Sequence, residues 1–338
     1  MTKFPLLKLP AVALYEVMKM MMPIEMLKLA VCSVQIESFL PHQKYKTNGL
    51  HINLCDYSSQ IDISHSNGCQ SIVFKSTTDN LMEMPVRKLE QLSDRYIGED
   101  DNYMNLTHAN FDEMLDIHRN LSDICRVPFM EWILEVVSLR HEQCSQLLHK
   151  ILKTEFNKIS LIGIKHSNSD LRELMNKVPT TKELEIVSEI SYGFDHANAL
   201  KYFRTHFSDA RWVKLENLFS IRNVDTVKLV RTHLDCSDLN KFLRYWVDCD
   251  EFMLRKLDIG VRCGAVGDEK KITDQLTKIS VHDNGYPQIF MKSKREAGQR
   301  YVLGRLELRK TNVIFSTWDP NEEYSDKFQI LMEKESNV

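Results

Sequence analysis

The sequence predicts a mixed α+β or α/β protein, with three short N-terminal helices followed by a repeat-like α/β domain that has antiparallel β segments at its start and at its C-terminal end. Apolar residues recur at helical spacing through residues 4–40. Apolar and polar residues alternate through 46–75 and 279–318, and strand-like and helix-like segments alternate in between. A chain of 338 residues is long enough for one large domain or a few ordinary ones.

Composition places the chain among soluble folded proteins. There are 44 basic and 47 acidic side chains, for a formal charge of −3, and 43% of the residues are apolar. These values argue against global disorder and against nucleic-acid binding by a strongly basic protein. Charged residues such as Lys8, Glu16 and Lys19 interrupt the apolar N-terminus, so we expect neither a membrane span nor an export signal there.

The cysteines indicate a reducing compartment. Eight of them are scattered along the chain, and no two form a Cys-x-x-Cys pair. Their spacing lacks the density of a disulfide framework. We therefore expect reduced thiols and a cytoplasmic or nuclear location.

Three short helices are predicted to begin near Pro10, at Pro23 and near Ile36. Leaving four of their apolar side chains exposed would cost several kcal/mol, at roughly 1.5–3 kcal/mol for each. The helices should therefore pack on the rest of this chain or on another protein, and both possibilities stay open. The apolar positions of the first two helices are Leu14, Val17, Met18, Met21, Ile24, Leu27 and Val31.

The N-terminal segment reads FPLLKLPAVALYEVMKMMMPIEMLKLAVCS. Its Leu9-Pro10 pair, its Pro23-Ile24 helix start and its closing Cys32-Ser33 resemble the F-box of nematode F-box proteins. That short helical module binds the Skp-type adaptor of cullin-RING ubiquitin ligases. The resemblance implies that residues 1–45 form a three-helix F-box. It also implies adaptor contacts by Leu9, Pro10, Leu14, Val17, Met20, Ile24, Leu27 and Leu29.

Residues 46–110 are predicted to be a small antiparallel meander and a linker. Three short alternating runs lie between residues 46 and 75, and Asn67-Gly68 supplies a hairpin turn between the last two. Their apolar positions are Ile52 and Leu54, Ile61 and Ile63, and Ile72 and Phe74.

Strand and helix patterns then alternate through the predicted domain at residues 111–318. Most strand starts lie roughly 25–29 residues apart, which is the range of leucine-rich-repeat units. An ordinary parallel α/β sheet is the alternative. The predicted strands are Phe129–Val137, Lys158–Ile164, Lys182–Ser188, Thr226–Val230 and Arg255–Gly260. The predicted helices are Glu142–Thr154, Ser169–Val178, His196–His206 and Ser237–Asp248.

A second resemblance covers this domain most strongly at residues 226–260. Trp212-Val213, the run Leu215–Leu218, and the run Asp238–Leu243 followed by Trp246 resemble the type 2 F-box-associated domain of the same nematode family. Three further strands are predicted at Tyr286–Lys292, Arg300–Leu308 and Asn312–Trp318, with a frayed charged tail at 319–338.

No residue pattern indicates catalysis or a metal. His141, Cys144 and His149 fall on one predicted helix, but their spacing does not bring all three to one face. Gly260, Gly264 and Gly267 follow a strand without the spacing of a phosphate-binding loop. The basic turn near residues 292–300 is interrupted by acidic residues, so a solvated hairpin is the favoured interpretation.

Together the two resemblances imply a non-catalytic, substrate-recruiting subunit of an SCF-type ubiquitin ligase, without cofactor, nucleic acid or membrane. The adaptor links it to a cullin, and the larger domain binds a target protein. By strand parity, the target would meet outward-facing Glu183, Glu185, Lys228, Lys256 and Asp258. The alternatives are a repeat-type interaction scaffold with no ubiquitin link and, more remotely, a nucleotide-dependent enzyme that uses the glycine loop.

Overall fold

The computed structural model forms two compact units. The first comprises Met1–Arg140 and Thr154–Ile159, and the second comprises His141–Lys153 and Ser160–Val338. The structure describes residues 9–32, 45–55, 58–66, 68–75, 96–97, 103–107, 111–135, 141–261, 268–283, 286–297 and 300–318.

The first unit is built on a mixed sheet. Its described helices are α1 (Ala11–Lys19), α2 (Pro23–Cys32) and α3 (Phe111–Ile124). Its described strands are β1 (Tyr45–Lys46), β2 (Gly49–Cys55), β3 (Ser58–His65), β4 (Gly68–Lys75), β5 (Tyr96–Ile97), β6 (Tyr103–Thr107), β7 (Cys125–Arg126) and β8 (Met130–Glu135). The sheet order is β8-β2-β3-β4-β6-β5, and β1 pairs with β7 separately.

The meander predicted at residues 46–75 is present as β2, β3 and β4. Antiparallel pairing sets Ile52 beside Ile61 and Ile61 beside Ile72, and all three side chains are fully buried. This row exists because alternate residues of a strand point to the same face. Gly68 has a φ of 146°, a conformation that glycine adopts without a steric penalty, whereas Asn67 lies outside the described residues.

The N-terminal helices pack within this sheet-based unit. Leu14, Met18, Ile24, Met26 and Leu27 are each at most 1% exposed. Helix α2 contacts β4, β6 and α3, and its first turn is tied to the sheet where the backbone N–H of Ile24 donates to Gln70 Oε1 at 3.3 Å. The apolar helix faces are therefore largely buried against their own unit.

The second unit combines parallel strands, helices and an antiparallel extension. Its helices are α4 (His141–Ile151), α5 (Asn168–Lys177), α6 (Leu215–Phe219), α7 (Cys236–Asp248) and α8 (Glu269–Ile272). Its strands are β9 (Lys158–Lys165), β10 (Glu183–Glu189), β11 (Arg204–Phe207), β12 (Val224–Leu229), β13 (Leu254–Gly260), β14 (Lys278–Asp283), β15 (Tyr286–Ala297), β16 (Arg300–Leu308) and β17 (Asn312–Trp318). The order is β14-β15-β16-β17-β13-β12-β11-β10-β9.

Strands β10 to β13 pair in parallel, and β17 joins β13 antiparallel. Aromatic side chains hold helices against one face of this sheet. Phe242 and Trp246 of α7 pack on Phe315 of β17, with ring centroids 6.1 and 4.9 Å apart. The alternation predicted for β10 holds, because Leu184 and Ile186 are buried while Glu183 and Glu185 are partly exposed.

The predicted fold class is wrong. In place of a separate three-helix N-terminal domain followed by a leucine-rich-repeat-like α/β domain, both units are rich in mixed β-sheet. The N-terminal helices are part of the first unit, where α2 packs on β4 and β6 and buries its apolar side chains. The third predicted helix, near Ile36, lies outside the described residues.

The repeat interpretation fails between β10 and β11. The helix predicted at His196–His206 is absent, because residues 196–203 form turns and β11 occupies Arg204–Phe207. Tyr202 is fully buried and its hydroxyl donates to Met175 O at 2.7 Å, so packing decides this segment. Helix α3 was not predicted either, although its buried residues follow helical spacing: Phe111, Met114, Leu115, Ile117, Leu121 and Ile124.

Candidate functional site

The five residues predicted to bind a target lie on one polar face of the second unit's parallel strands. Pairing sets Glu183, Arg204, Thr226 and Lys256 in one row across four strands. A second row contains Glu185, His206, Lys228 and Asp258. Directly paired residues point to the same face of a sheet, so the register brings the five predicted side chains onto one surface.

Arg204 organises the first row. Its Nε lies 2.7 Å from Asp225 Oδ2, and its Nη1 lies 3.3 Å from Glu183 Oε1. The hydrogen bond to Asp225 raises the pKa of Arg204, with Glu183 adding to the effect. Arg204 is not among the predicted site residues, because the strand that carries it was predicted to be helical. A bridging guanidinium of this kind holds two carboxylates in a defined place.

His206 and Ser160 surround Glu185 in the second row. His206 Nδ1 lies 2.5 Å from Glu185 Oε1, and Ser160 Oγ donates to Glu185 Oε2 at 3.0 Å. At the far end of the row, Asn312 Nδ2 donates to Asp258 Oδ1 at 2.5 Å. The predicted carboxylates of this row are therefore held in hydrogen bonds.

Lys228 and Lys256 differ from these carboxylates. Both side chains are exposed, and neither forms an ion pair with any residue that the structure describes. The polar face therefore presents free ammonium groups beside satisfied carboxylates. Such a face suits polar contacts with another macromolecule.

The eight predicted adaptor contacts fall into three groups. Leu14, Ile24 and Leu27 are buried within the first unit, at 1%, 0% and 0% exposure. Three others are partly exposed: Leu9, Val17 and Leu29. Pro10 is exposed, and Met20 is 79% exposed. The structure therefore leaves an outward surface at the two ends of α1, to which Val12 adds a side chain that is 77% exposed.

An aromatic and charged cluster beyond the ends of β10 to β12 was not predicted. The rings of Tyr192 and His233 stack at 5.3 Å, and Arg211 Nη1 donates to the Tyr192 hydroxyl at 2.9 Å. Arg211 also binds Asp209 through both Nε and Nη2, at 2.7 and 2.6 Å. Burial opposes ionisation of Asp209, but the hydrogen bonds from Arg211 hold its pKa below the usual value. The Asp-x-Arg spacing at 209–211 is the sequence feature from which the ion pair of this cluster could have been predicted.

The candidate metal and phosphate motifs do not form an organised site among the residues described. No group of three or more His, Cys, Asp or Glu there could hold a metal ion. The side chains of His141 and Cys144, as well as Gly264 and Gly267, lie outside the described part. In the basic turn, Lys294 Nζ lies 2.6 Å from Asp248 Oδ1.

Comparison with known proteins finds little similarity. No protein-family model matches the chain, and no solved structure matches it. A curated relative, the Skn-1 dependent zygotic transcript 15 protein of Caenorhabditis elegans, is 31% identical over 96 residues. The match covers 27% of this chain and 28% of the relative's length. Among the described helices, none has the length and apolar character needed to cross a membrane.

Proposed function

We propose that the chain is a substrate-recruiting F-box subunit of an SCF-type cullin-RING ubiquitin ligase. In this proposal the N-terminal helices bind a Skp-type adaptor, and through it a cullin, while the second unit holds a target protein. The chain performs no chemistry itself. It acts by tethering, which makes the encounter between target and ubiquitin-conjugating enzyme effectively intramolecular.

The observation that carries the proposal is the outward apolar surface of α1. Val12 and Met20 are 77% and 79% exposed, and Pro10, the N-cap of α1, is exposed as well. The residue order from Leu9 to Ser33 resembles an adaptor-binding module. An exposed apolar group on a segment with that resemblance supports docking of a second polypeptide.

The target-binding half of the proposal draws on the polar face of β10 to β13. The unpaired ammonium groups of Lys228 and Lys256 are available for a partner's carboxylates. The carboxylates of Glu183 and Glu185 are held by Arg204 and His206. An arrangement already ordered in the free protein reduces the entropy lost on binding.

A second candidate function is an interaction scaffold with no ubiquitin link. The burial of Leu14, Ile24 and Leu27 favours it, because these side chains are satisfied by packing inside the first unit. In that case α1 and α2 serve to cover the sheet. The two candidates differ in whether the exposed side of α1 binds an adaptor.

Co-purification with a Skp-type adaptor tests the proposal. We expect the wild-type chain to retain the adaptor. The variant Pro10→Ala/Met20→Glu should retain at least about tenfold less adaptor, because a charge replaces an apolar contact in the docking surface. Leu9→Ala/Pro10→Ala is a second, milder variant. The matched control is Val230→Glu, which places the same charge at a 44% exposed apolar residue of the second unit.

Circular dichroism of each variant shows whether the fold is kept, which the exposure of Pro10 and Met20 leads us to expect. Equal adaptor recovery from the wild type and both α1 variants would reject the ligase proposal. So would a wild-type chain that fails to retain any adaptor. Either result would favour the scaffold.

A further inference from the structure

A surface cavity of about 240 Å³ lies at the carboxyl ends of parallel strands in the second unit. Its lining includes residues that end β10 and residues that immediately follow β11 and β12. Ligands of α/β sheets bind at this edge, since loops leave the strands there and expose polar groups. The lining residues that matter are Ile164, Ser188, Glu189, Ser208, Asp209 and Arg231.

Ser188 is a buried hydroxyl without a partner. The residue is 5% exposed, and its Oγ makes no hydrogen bond within the described structure. A buried polar group left unsatisfied destabilises a folded protein. Ser188 is also one of the residues that line the cavity, so a group that enters the cavity can supply the missing hydrogen bond.

Arg231 supplies an unpaired cation to the same cavity. Its side chain is exposed and forms no ion pair with a described residue. Asp209 does not neutralise it, because both Asp209 oxygens are engaged by Arg211. A cavity whose lining includes an unpaired guanidinium and an unsatisfied hydroxyl is suited to an oxyanion.

Glu189 and Ile164 narrow the class of ligand. Glu189 is an exposed carboxylate on the cavity wall, and it disfavours a doubly charged phosphate more than a singly charged carboxylate. Ile164 is 77% exposed and offers an aliphatic contact beside the polar groups. The cavity is smaller than the usual 300–1,000 Å³ of drug-sized ligand sites, roughly the room for one or two side chains.

We propose that this cavity binds a peptide carboxylate of the target protein, held by Arg231 and Ser188, with a neighbouring aliphatic side chain of the target on Ile164. The inference rests on the proposed function, in which the second unit binds the target. The carboxylate belongs either to an acidic side chain or to a chain end, and both present the same chemistry.

An array of immobilised short peptides tests the inference with purified full-length chain. One set carries Leu-Glu at the centre of random amidated sequences, a matched set carries Leu-Gln, and a third set ends in leucine with a free carboxylate. We expect the chain to bind the first or third set about tenfold better than the Leu-Gln set, the gain of one charge-assisted hydrogen-bonded pair. The preferred set identifies the source of the carboxylate.

Two cavity variants and one control variant assign that preference to the cavity. Arg231→Gln should abolish the preference for carboxylate. Arg244→Gln should keep it, because Arg244 is likewise exposed and unpaired in the described structure but lies on α7. Ser188→Ala should weaken binding while keeping or raising the melting temperature, since it removes an unsatisfied buried hydroxyl.

Equal binding to the Glu and Gln sets, with no preference for the free chain end, would overturn the inference. Unchanged selectivity in Arg231→Gln would do the same. Neither result bears on the adaptor, whose co-purification depends on α1. Loss of adaptor binding with a retained carboxylate preference would reject the ligase proposal alone.

Discussion

His118 is a buried histidine that folding keeps neutral. It is 4% exposed, its Nε2 lies 2.9 Å from Met130 Sδ, and its ring lies 5.5 Å from that of Trp132. Burial, with a smaller contribution from Arg119, lowers its pKa from 6.5 to about 4. The unfolded chain therefore binds a proton at this site more readily than the folded chain does.

We predict that His118 makes the protein less stable in mild acid. Its contribution is complete above pH 6.5 and is lost as the pH falls through that value toward 4, for a total of about 3 kcal/mol. Urea unfolding at a series of pH values measures the slope. His118→Leu should unfold with a shallower pH dependence than the wild type over this interval.

His51 has the opposite effect on the pH dependence of stability, because its hydrogen bond to Glu131 raises the pKa of its imidazole. It is present in both proteins, so the difference between wild type and His118→Leu isolates His118. Identical pH slopes for the two proteins would contradict the prediction.

The start of α7 depends on Asp235. The helix predicted to begin at Ser237 begins at Cys236 in the structure, and Asp235 is its N-cap. The Asp235 carboxylate accepts hydrogen bonds from the backbone N–H groups of Ser237 and Asp238, at 2.8 and 3.0 Å. Both residues carry side chains that cap helices well, so local preference alone could not choose between them. The N-cap is the residue whose backbone is still extended, and tertiary structure sets that position.

We predict that Asp235→Ala lowers the free energy of unfolding by about 1 kcal/mol, the usual value of a lost N-cap. Ser237→Ala should change it by less than about 0.5 kcal/mol, because that side chain is exposed and is not the cap. Chemical denaturation of both variants measures the difference. If Ser237→Ala lowers the free energy of unfolding more than Asp235→Ala does, Ser237 and not Asp235 is the N-cap.

Several strands with regular alternation were predictable, whereas the helix α3 and the short strand β11 were not. Predicted strands at 182–188 and 255–260 match β10 and β13 within about two residues. Strand β11 has four residues, too few for an alternating pattern to outweigh the helical spacing around it. Because β11 was missed, Arg204 and His206 were missing from the predicted site.

The first unit depends on its N-terminal helices. Leu14, Met18, Ile24, Met26 and Leu27 are all at most 1% exposed, and each contributes roughly 1.5–3 kcal/mol when fully buried. We therefore predict that deleting residues 1–32 destabilises the first unit by several kcal/mol. Limited proteolysis, together with binding of a dye specific for apolar surface, detects the loss.

The control for this deletion is Met20→Ala in the full-length chain, which should keep wild-type protease resistance because Met20 is 79% exposed. A truncated chain as resistant as the wild type would show that α1 and α2 are dispensable to the fold. Loss of structure on truncation is compatible with adaptor binding, because the adaptor would bind the exposed side of α1 and the fold depends on its buried side.

Residue spacing was enough to predict the solvent-facing parity of β10, β12 and β13, the positions of several elements and the apolar character of the N-terminal helices. These properties depend on residue spacing along one segment, which composition and periodicity report directly. Tertiary structure alone decided what covers those helices, which strands are neighbours, and that Ser188 and Arg231 share a cavity. Such relations join residues far apart in the chain, and they depend on which apolar surfaces pack together, a choice that no single segment encodes.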